Sequence, residues 1–493
     1  MFSDQRLTIR RKPILMDIIT LLADYVRGLL DAEDQFIQDL GQFPRLEQTV
    51  SDLSRKMAAD FLSLVLSNAD ELLRSSGRRK ARYNAQRRVT RTLISTVGDV
   101  TFDETVFRDR ETGEYRRLLG EMLRLPEKER FTSLGEAKLL NEAEVHSYQR
   151  AADAFSTGQH KVTKTTVMNK IHAIEEIMPE PEKSEEKKQQ RYLYIEADED
   201  HIHRQKDGQN DGCMIGKLIY LFEGKEDVCD GRRELICPFY FGGLYPGNQN
   251  GSLWDEVENY IRDHYDQDYL KCVYINSDGA AWIKAGKDRV YKSKLVSDRF
   301  HLMKYINRVS RLTGDNKRMN ETKGRLYRYI YKNKLLAAEK LLTRIKNRYG
   351  GENAVEDCRS YFENNWDSIQ RAFHDKKVLG CSAEGHVSHV LSERMSSRPM
   401  GWSEVGSDRM CKLRCYVRNY GREKIVDLVT YRREKELEKM PATGTDGLIE
   451  SKQKKAYTQK QRRAYTYVEK LQATIGGNTV RKILAIREQI DNI

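Results

Sequence analysis

One stretch constrains the fold of this chain more than any other: Tyr192–His203, reading YLYIEADEDHIH. Its first half is β-branched and aromatic, the composition of a strand. Its second half crowds Glu196, Asp198, Glu199 and Asp200 onto the continuation of that strand, with Asp198 and Asp200 on one face. Two later stretches answer it. Val273–Asp278, VYINSD, is a second apolar strand ending in an acid, and Glu384 opens CSAEGHVSHVLSERM.

The order of elements around these acids is informative. The pattern predicts strands over Tyr192–Arg204, Met214–Phe222 and Glu234–Phe241, the first two joined by a turn at KDGQNDG. A helix follows over Ser252–His264, then a strand over Lys271–Asn276, a short helix over Ala280–Ala285, and a strand over Tyr291–Val296. Three meandering strands followed by helix, strand, helix and strand fit an α/β fold with a mixed sheet, the ribonuclease-H-like arrangement. Residues 301–378 then read as a charged helical insertion before Glu384. In that arrangement the first and fourth strands are neighbours, so Asp198 and Asp278 are expected to meet at strand ends, where functional groups gather.

Three such carboxylates repel one another unless a cation neutralises them. Asp198, Asp278 and Glu384 are therefore the expected catalytic and metal-holding residues. Oxygen ligands favour magnesium or manganese. Two such ions roughly 4 Å apart can drive in-line displacement at phosphorus, with water or a DNA 3′-hydroxyl as nucleophile. Asp200 competes with Asp198 for the first position, and Glu393 competes with Glu384 for the third. Asp298 and His301 stand one helical turn apart after the last strand and form a second pair, with an N-cap role open to Asp298. Cys411 and Cys415, near His386 and His389, lack the spacing of a zinc finger or ribbon and read as structural thiols. The sequence holds no GxxxxGK[ST] phosphate loop.

A formal charge of +12 with 74 acidic residues still present makes the positive charge patchy, which favours nucleic acid as a partner over a membrane surface. No apolar run is long enough to span a bilayer. The eight cysteines are scattered and read as reduced thiols of a cytoplasmic protein. Residues 1–76 form a helical N-terminal unit. Residues 77–178 form a DNA-binding region. It begins with GRRKARYNAQRRVTR, where Arg78, Arg79, Lys80, Arg82, Arg87 and Arg88 are candidate phosphate contacts. It continues with a β-hairpin over Thr92–Phe107 that turns at Gly98-Asp99. It ends with a helix over Glu142–Ser156 and a second helix capped by Thr163, a helix-turn-helix candidate. Lys164, Thr165, Asn169 and Lys170 would begin the recognition helix. Residues 179–190 read as a linker, 191–440 as the catalytic domain, and 441–493 as a basic helical tail.

YIEADEDHIH, YINSDGAAWIK, VSDRFHLMKYINR and SAEGHVSHVLSERMSSRPMGWS together resemble bacterial insertion-sequence transposases of the Lre-two type, once catalogued as an uncharacterised protein family. TVGDVTFDETVFRDRETGEYRRLLGEMLRL, SYQRAADAF and TKTTVMNKI are similar to the same family. The resemblance runs from about residue 85 to 415. It implies a nucleoid-associated bacterial transposase of the acidic-triad (DDE) class, related to Mutator-like enzymes. Such an enzyme binds the terminal inverted repeats of its element and target DNA, works as a homo-oligomer on DNA, and cuts and joins strands with metal. Asp198, Asp278 and Glu384 match the three acids. Asp298 and His301 resemble a motif of aspartate or cysteine, two residues, then histidine. EGHVSHVLSERM resembles a glutamate followed by a basic helix, which adds Arg394 and Arg398 to the expected DNA contacts. The chain departs from the family pattern at ADEDHI, where a single acid followed by glycine is expected.

Overall fold

Apolar residues at helical spacing open the described chain as α1 (Ile18–Gln38) and α2 (Phe43–Ser75). The computed structural model describes residues 18–156, 161–174, 183, 186–206, 209–229, 232–398, 400–439, 447–459 and 462. The chain divides into two units. The first comprises Met1–Leu139, Phe155–Val162 and Val426–Ile493; the second comprises Leu140–Ala154 and Thr163–Ile425.

In the first unit, Ser76 ends α2 and caps α3 (Gly77–Arg82) by accepting from the Arg79 N–H. An antiparallel hairpin follows, β1 (Tyr83–Ile94) and β2 (Asp99–Asp109), with the short β3 (Tyr115–Arg116) on its edge. Gly98 takes the hairpin turn at φ +131°, a backbone that favours glycine. The expected basic segment is thus half helix and half strand. Arg87 and Arg88 sit at exposed strand positions, which break the apolar alternation and hide the first half of β1, whereas Arg91 further along the strand is buried. Asp70 of α2 ties the helix to β2 by accepting from Thr105 N at 2.8 Å and Oγ1 at 2.6 Å. Leu73, Tyr83, Leu93, Val100, Phe102 and Phe107 form the core with Leu118 and Leu119 of α4 (Leu118–Met122). Then α5 (Ser133–Val145) runs across the boundary between the units.

The helix expected over Glu142–Ser156 is interrupted. Ser147 accepts from the Arg150 N–H and starts a new helix, α6 (Tyr148–Asp153). Thr163 caps α7 (Lys164–His172) as expected. These two helices belong to the second unit, with the sheet, rather than with the hairpin. Most of the expected linker, 179–190, lies outside the described residues. Within it, Lys188 makes backbone bonds to His264 and Asp266.

The sheet of the second unit is built from β4 (Tyr192–Lys206), β5 (Gln209–Phe222), β8 (Phe239–Gly243), β9 (Cys272–Ser277) and β10 (Ser293–Ser297). Its order is β10-β9-β4-β5-β8. β4, β5 and β8 pair antiparallel, whereas β4–β9 and β9–β10 are parallel. The expected third strand breaks at Cys237-Pro238. Cys237 has φ +48°, and proline supplies no N–H. The first half of that stretch, β7 (Arg232–Ile236), pairs instead with β6 (Gly224–Cys229) in a separate ribbon.

Leu193, Ile195, Ile219, Leu221, Val273 and Ile275 point to one face of the sheet and bury Leu253, Trp254, Val257 and Ile261 of α8 (Asn250–His264). Between β9 and β10 lie α9 (Ala281–Lys284) and a 3₁₀ turn containing Gly286. A Cβ at Gly286 would come within 2.6 Å of the buried Trp254 ring. Gly286→Ala is therefore expected to cost about 1–3 kcal/mol by overpacking. A denaturant midpoint with unchanged slope would measure this, and an unchanged midpoint would count against the packing described.

Four helices form the expected insertion: α10 (Arg299–Arg311), α11 (Asn316–Tyr331), α12 (Leu335–Tyr349) and α13 (Glu352–His374). They share a core that includes Leu302, Ile306, Leu326, Ile330, Leu342, Ile345 and Phe362. The chain returns through α14 (Ala383–Val387), a π-helical turn (Ser388–Ser392), α15 (Glu393–Met395) and α16 (Glu404–Tyr420). Apart from Ile425, α17 (Ile425–Glu438) belongs to the first unit, so the expected 191–440 domain is cut short at its C-terminal end. Among the described residues, no helix is long and apolar enough to cross a membrane.

Candidate active site

Sheet register brings the key acids to one level. β4 and β9 pair from Tyr192↔Cys272 to Glu196↔Asn276, and β9 and β10 pair up to Ser277↔Ser297. Continuing those registers sets Asp198, Asp278 and Asp298 side by side where the two parallel pairings end. Beyond this level β4 runs on to Lys206, whereas β9 and β10 have ended. A strand that continues past its neighbours leaves a crevice at their carboxyl ends. Asp278 Oδ1 accepts from Ala280 N at 2.8 Å, and Gly279 turns the chain away at φ +106°. The Asp298 N–H donates to Ser277 O at 2.9 Å, and its carboxylate caps α10 by accepting from Phe300 N.

Electrostatics identify the close neighbours. Burial pushes the Asp198 carboxyl up to about 6, and the charge of Asp278 adds to the rise. The Glu199 N–H, donating to Asp198 Oδ1 at 2.8 Å, and the nearby His301 act the other way. His301 Nδ1 donates to Asp298 Oδ2 at 2.9 Å; that bond holds the imidazolium form, so the histidine pKa lies above its usual value. Nε2 is left for other work.

Glu384 is placed differently. Its half-exposed carboxylate lies 3.3 Å from Lys304 Nζ, one turn past His301 on α10. Among the described residues, no three His, Cys, Asp or Glu side chains cluster tightly enough to hold a metal ion. The structure thus brings together Asp198, Asp278, Asp298 and His301, with Glu384 nearby on an adjoining segment but turned toward Lys304.

Its two rivals have other partners. Buried Asp200 accepts from Ser392 Oγ at 3.0 Å and Ser396 Oγ at 2.8 Å. Exposed Glu393 lies 3.7 Å from Arg414. Asp200 thereby anchors the far end of the segment that carries Glu384. Glu196, fully buried, anchors the near end: it accepts from Ser382 N at 2.6 Å, Ser382 Oγ at 3.0 Å, Lys225 Nζ at 3.1 Å and the Tyr220 hydroxyl. Arg414 holds the middle by donating to the His389 and Val390 carbonyls of the π turn, while Glu144 takes its charge at 2.6 Å. Sequence reading missed Glu196 and Arg414 as positioning residues. The signal for Glu196 was its spacing, two residues before Asp198 on the same strand face. Nothing in the sequence marks Arg414. Cys411 and Cys415 are buried, and burial lifts both thiols, Cys415 to about 12.

Several expected DNA contacts are exposed. These are Arg78, Lys80 and Arg87 in the first unit, and Lys164, Thr165, Asn169 and Arg398 in the second; Lys170 is half-buried. Arg82 is engaged by Asp109 at 3.1 Å, and Arg88 by Glu71 at 2.6 Å. Two expectations are overturned by burial. Arg79 lies inside the first unit, over the Phe107 ring, and donates to the carbonyls of Leu73, Tyr83 and Arg74. Arg394 lies inside the second unit, over the Trp402 ring, and donates to Ala143 O at 3.2 Å; burial lowers its pKa to about 10. Neither guanidinium can reach a phosphate. Arg79→Ala should lower stability by about 2–4 kcal/mol through unpaired buried carbonyls, with no change in the salt dependence of DNA binding. A flattened salt slope without loss of stability would restore Arg79 to the DNA contacts.

Comparison with known proteins places the chain among sequence relatives. A UPF0236 protein of Caldanaerobacter subterraneus subsp. tengcongensis is 31% identical over 415 residues, covering 83% of this chain and 85% of the relative. A second from the same organism is 30% identical over 407 residues, covering 80% and 85%. Among solved structures, the Drosophila P element transposase strand transfer complex aligns with 73% of this chain and 91% of its own at 9% identity and TM-score 0.20, too distant for any inference. The model of the uncharacterised protein family UPF0236 matches residues 38–431, and the chain belongs to that family.

Proposed function

We propose that this protein is a metal-dependent DNA transposase that binds the terminal repeats of its own element, cuts there, and joins the ends to target DNA. The observation that carries this reading is the electrostatic coupling of desolvated Asp198 with Asp278, just beyond the point where the parallel pairing of β4 with β9 ends. The sheet order supports it: an antiparallel meander whose first strand is flanked on the other side by two parallel strands is what a ribonuclease-H-like core would require. The helical insertion between the last strand and Glu384 fits the same scheme. One further support comes from the relatives. The first is named for eleven loci of a single genome at once, as expected of a gene that copies itself within a chromosome.

The residues fit a hard divalent cation at two of three positions. Two neighbouring carboxylates, one raised by burial, are the donor set such an ion neutralises. Asp198 and Asp278 would hold magnesium or manganese, one ion or two, with Glu384 as the third acid of the segment fixed by Glu196 and Asp200. A bound ion would supply Lewis acidity toward the phosphate and toward the attacking oxygen. The chain's own contribution is distinct. Asp298 accepts from His301 Nδ1 and favours the imidazolium form, whose Nε2 proton is then available for a phosphate oxygen or a leaving oxygen. Exposed Arg78, Lys80 and Arg87 would bind backbone phosphates, and the start of α7 would meet base edges, on a homo-oligomer assembled on DNA.

The test is strand transfer. Purified protein with magnesium or manganese, a duplex carrying the terminal repeat, and supercoiled plasmid should yield end-joined products. Cleavage without joining would reduce the reading to a nuclease of the same fold. Specific binding without cleavage in either metal would reduce it to a DNA-binding relic.

A further inference from the structure

The helical insertion carries a charged cavity that the proposed chemistry does not use. It opens between α11 and α12, which are joined by residues 332–334, and has a volume of about 440 Å³. That lies within the roughly 300–1,000 Å³ range of small-ligand sites. Arg318 and Arg325 enter it from α11, and Arg344 and Arg348 from α12. Their spacing of seven and four residues puts each pair on one helix face. Glu321 is the single carboxylate of the lining.

The lining charge of this cavity, four arginines against one glutamate, differs from that of a larger cavity in the first unit. That cavity, about 560 Å³, is lined by three arginines against two glutamates: Arg116 is matched by Glu121 at 2.9 Å and Arg117 by Glu127 at 3.2 Å, and exposed Arg87 is the third. In the insertion, Arg318 lies 3.7 Å from Asp315, and Arg348 rests over the Tyr349 ring. The side chains of Arg325 and Arg344 make no ion pair or hydrogen bond among the described residues. Four guanidinium groups around one cavity repel, and Arg344 and Arg348, four apart on one helix, do so directly. An anion relieves that repulsion. Arginine's planar fork matches phosphate oxygens in pairs, which lysine's point charge does not.

We infer that this cavity is a phosphate-binding site of the insertion, filled by the phosphodiester backbone of DNA or by a free polyphosphate. The inference holds whether or not Asp198 and Asp278 cut DNA, since it rests on a different set of residues.

The full-length protein and its Arg325→Gln/Arg344→Gln variant test it with two probes. Tripolyphosphate is titrated calorimetrically, and a duplex of arbitrary sequence is titrated by fluorescence anisotropy across a range of salt. Both arginines are exposed, so the variant is expected to fold, which its melting temperature verifies. If the site takes a free polyphosphate, tripolyphosphate binds wild type and binds the variant at least about tenfold more weakly, with duplex binding unchanged. If it takes DNA, the duplex binds the variant more weakly and the slope of log affinity against log salt falls by up to about two. Either result supports the site. Equal binding of both probes by both proteins overturns it. Should the variant not fold, the wild type decides: tripolyphosphate that neither raises the melting temperature nor displaces the duplex also overturns it.

Discussion

Replacing Asp198 with asparagine is expected to lower metal-dependent DNA cleavage by roughly 10³-fold or more and, in the ion-free protein, to raise stability. The two effects have one cause. The folded carboxyl titrates at about 6, above the roughly 3.9 of an unfolded aspartate. A raised acid penalises the fold when it ionises. Wild type should therefore lose stability as pH rises from about 4 through 6, and the deficit should be complete above that. Its upper bound is about 3 kcal/mol before solvent screening reduces it. Asparagine carries no such penalty. The variant should melt above wild type at pH 8 and level with it near pH 4. Magnesium should then stabilise wild type and leave the variant nearly unmoved. A variant less stable than wild type at pH 8 would mean that Asp198 is an ordinary structural acid.

The second large effect lies in the first unit. Glu136 is fully buried and takes charge from two arginines of α17: Arg433 at 2.6 Å and Arg432. Arg433, itself fully buried, also donates to Phe131 O and Ser133 Oγ, each at 3.0 Å. Glu136→Ala would leave Arg432 inside the protein without its carboxylate and Arg433 with Glu129 alone, 3.6 Å away. Breaking one partner of a buried pair costs about 3–5 kcal/mol, so much of this unit's stability should go. Chemical denaturation should show a loss of that size. A change below about 1 kcal/mol would mean that solvent reaches the cluster.

The sheet was largely legible because its strands obey period two and Asp278 and Asp298 directly follow strand ends. Tyr192–Glu196 and Val273–Ser277 each show apolar runs that the fold buries. The break at Cys237-Pro238 was written in the proline but was read through, because apolar residues continue on both sides. The hairpin was placed correctly at its turn and too short at its start, since β1 uses arginines on its exposed edge. Charge type alone cannot say which arginines face solvent. Arg79 and Arg394 lie in the same basic runs as exposed neighbours, yet both are inside, because aromatic rings and orphan carbonyls await them. The choice between Asp198 and Asp200, two residues apart on one strand face, rests on Ser392 and Ser396, which claim Asp200 from a distant segment. Long-range partners of that kind are invisible to local pattern. Helix α17 shows the same limit, since its role depends on Glu136, far away in sequence.

The most direct test of the central claim is cleavage of terminal-repeat duplex by wild type and by Asp278→Asn, with magnesium, with manganese and with chelator. Wild type should nick at the element boundary in either metal and not in chelator, and Asp278→Asn should not nick at all although it binds the repeat normally. Cleavage that persists in Asp278→Asn, or in chelator, would contradict the assignment of Asp198 and Asp278 as the catalytic pair.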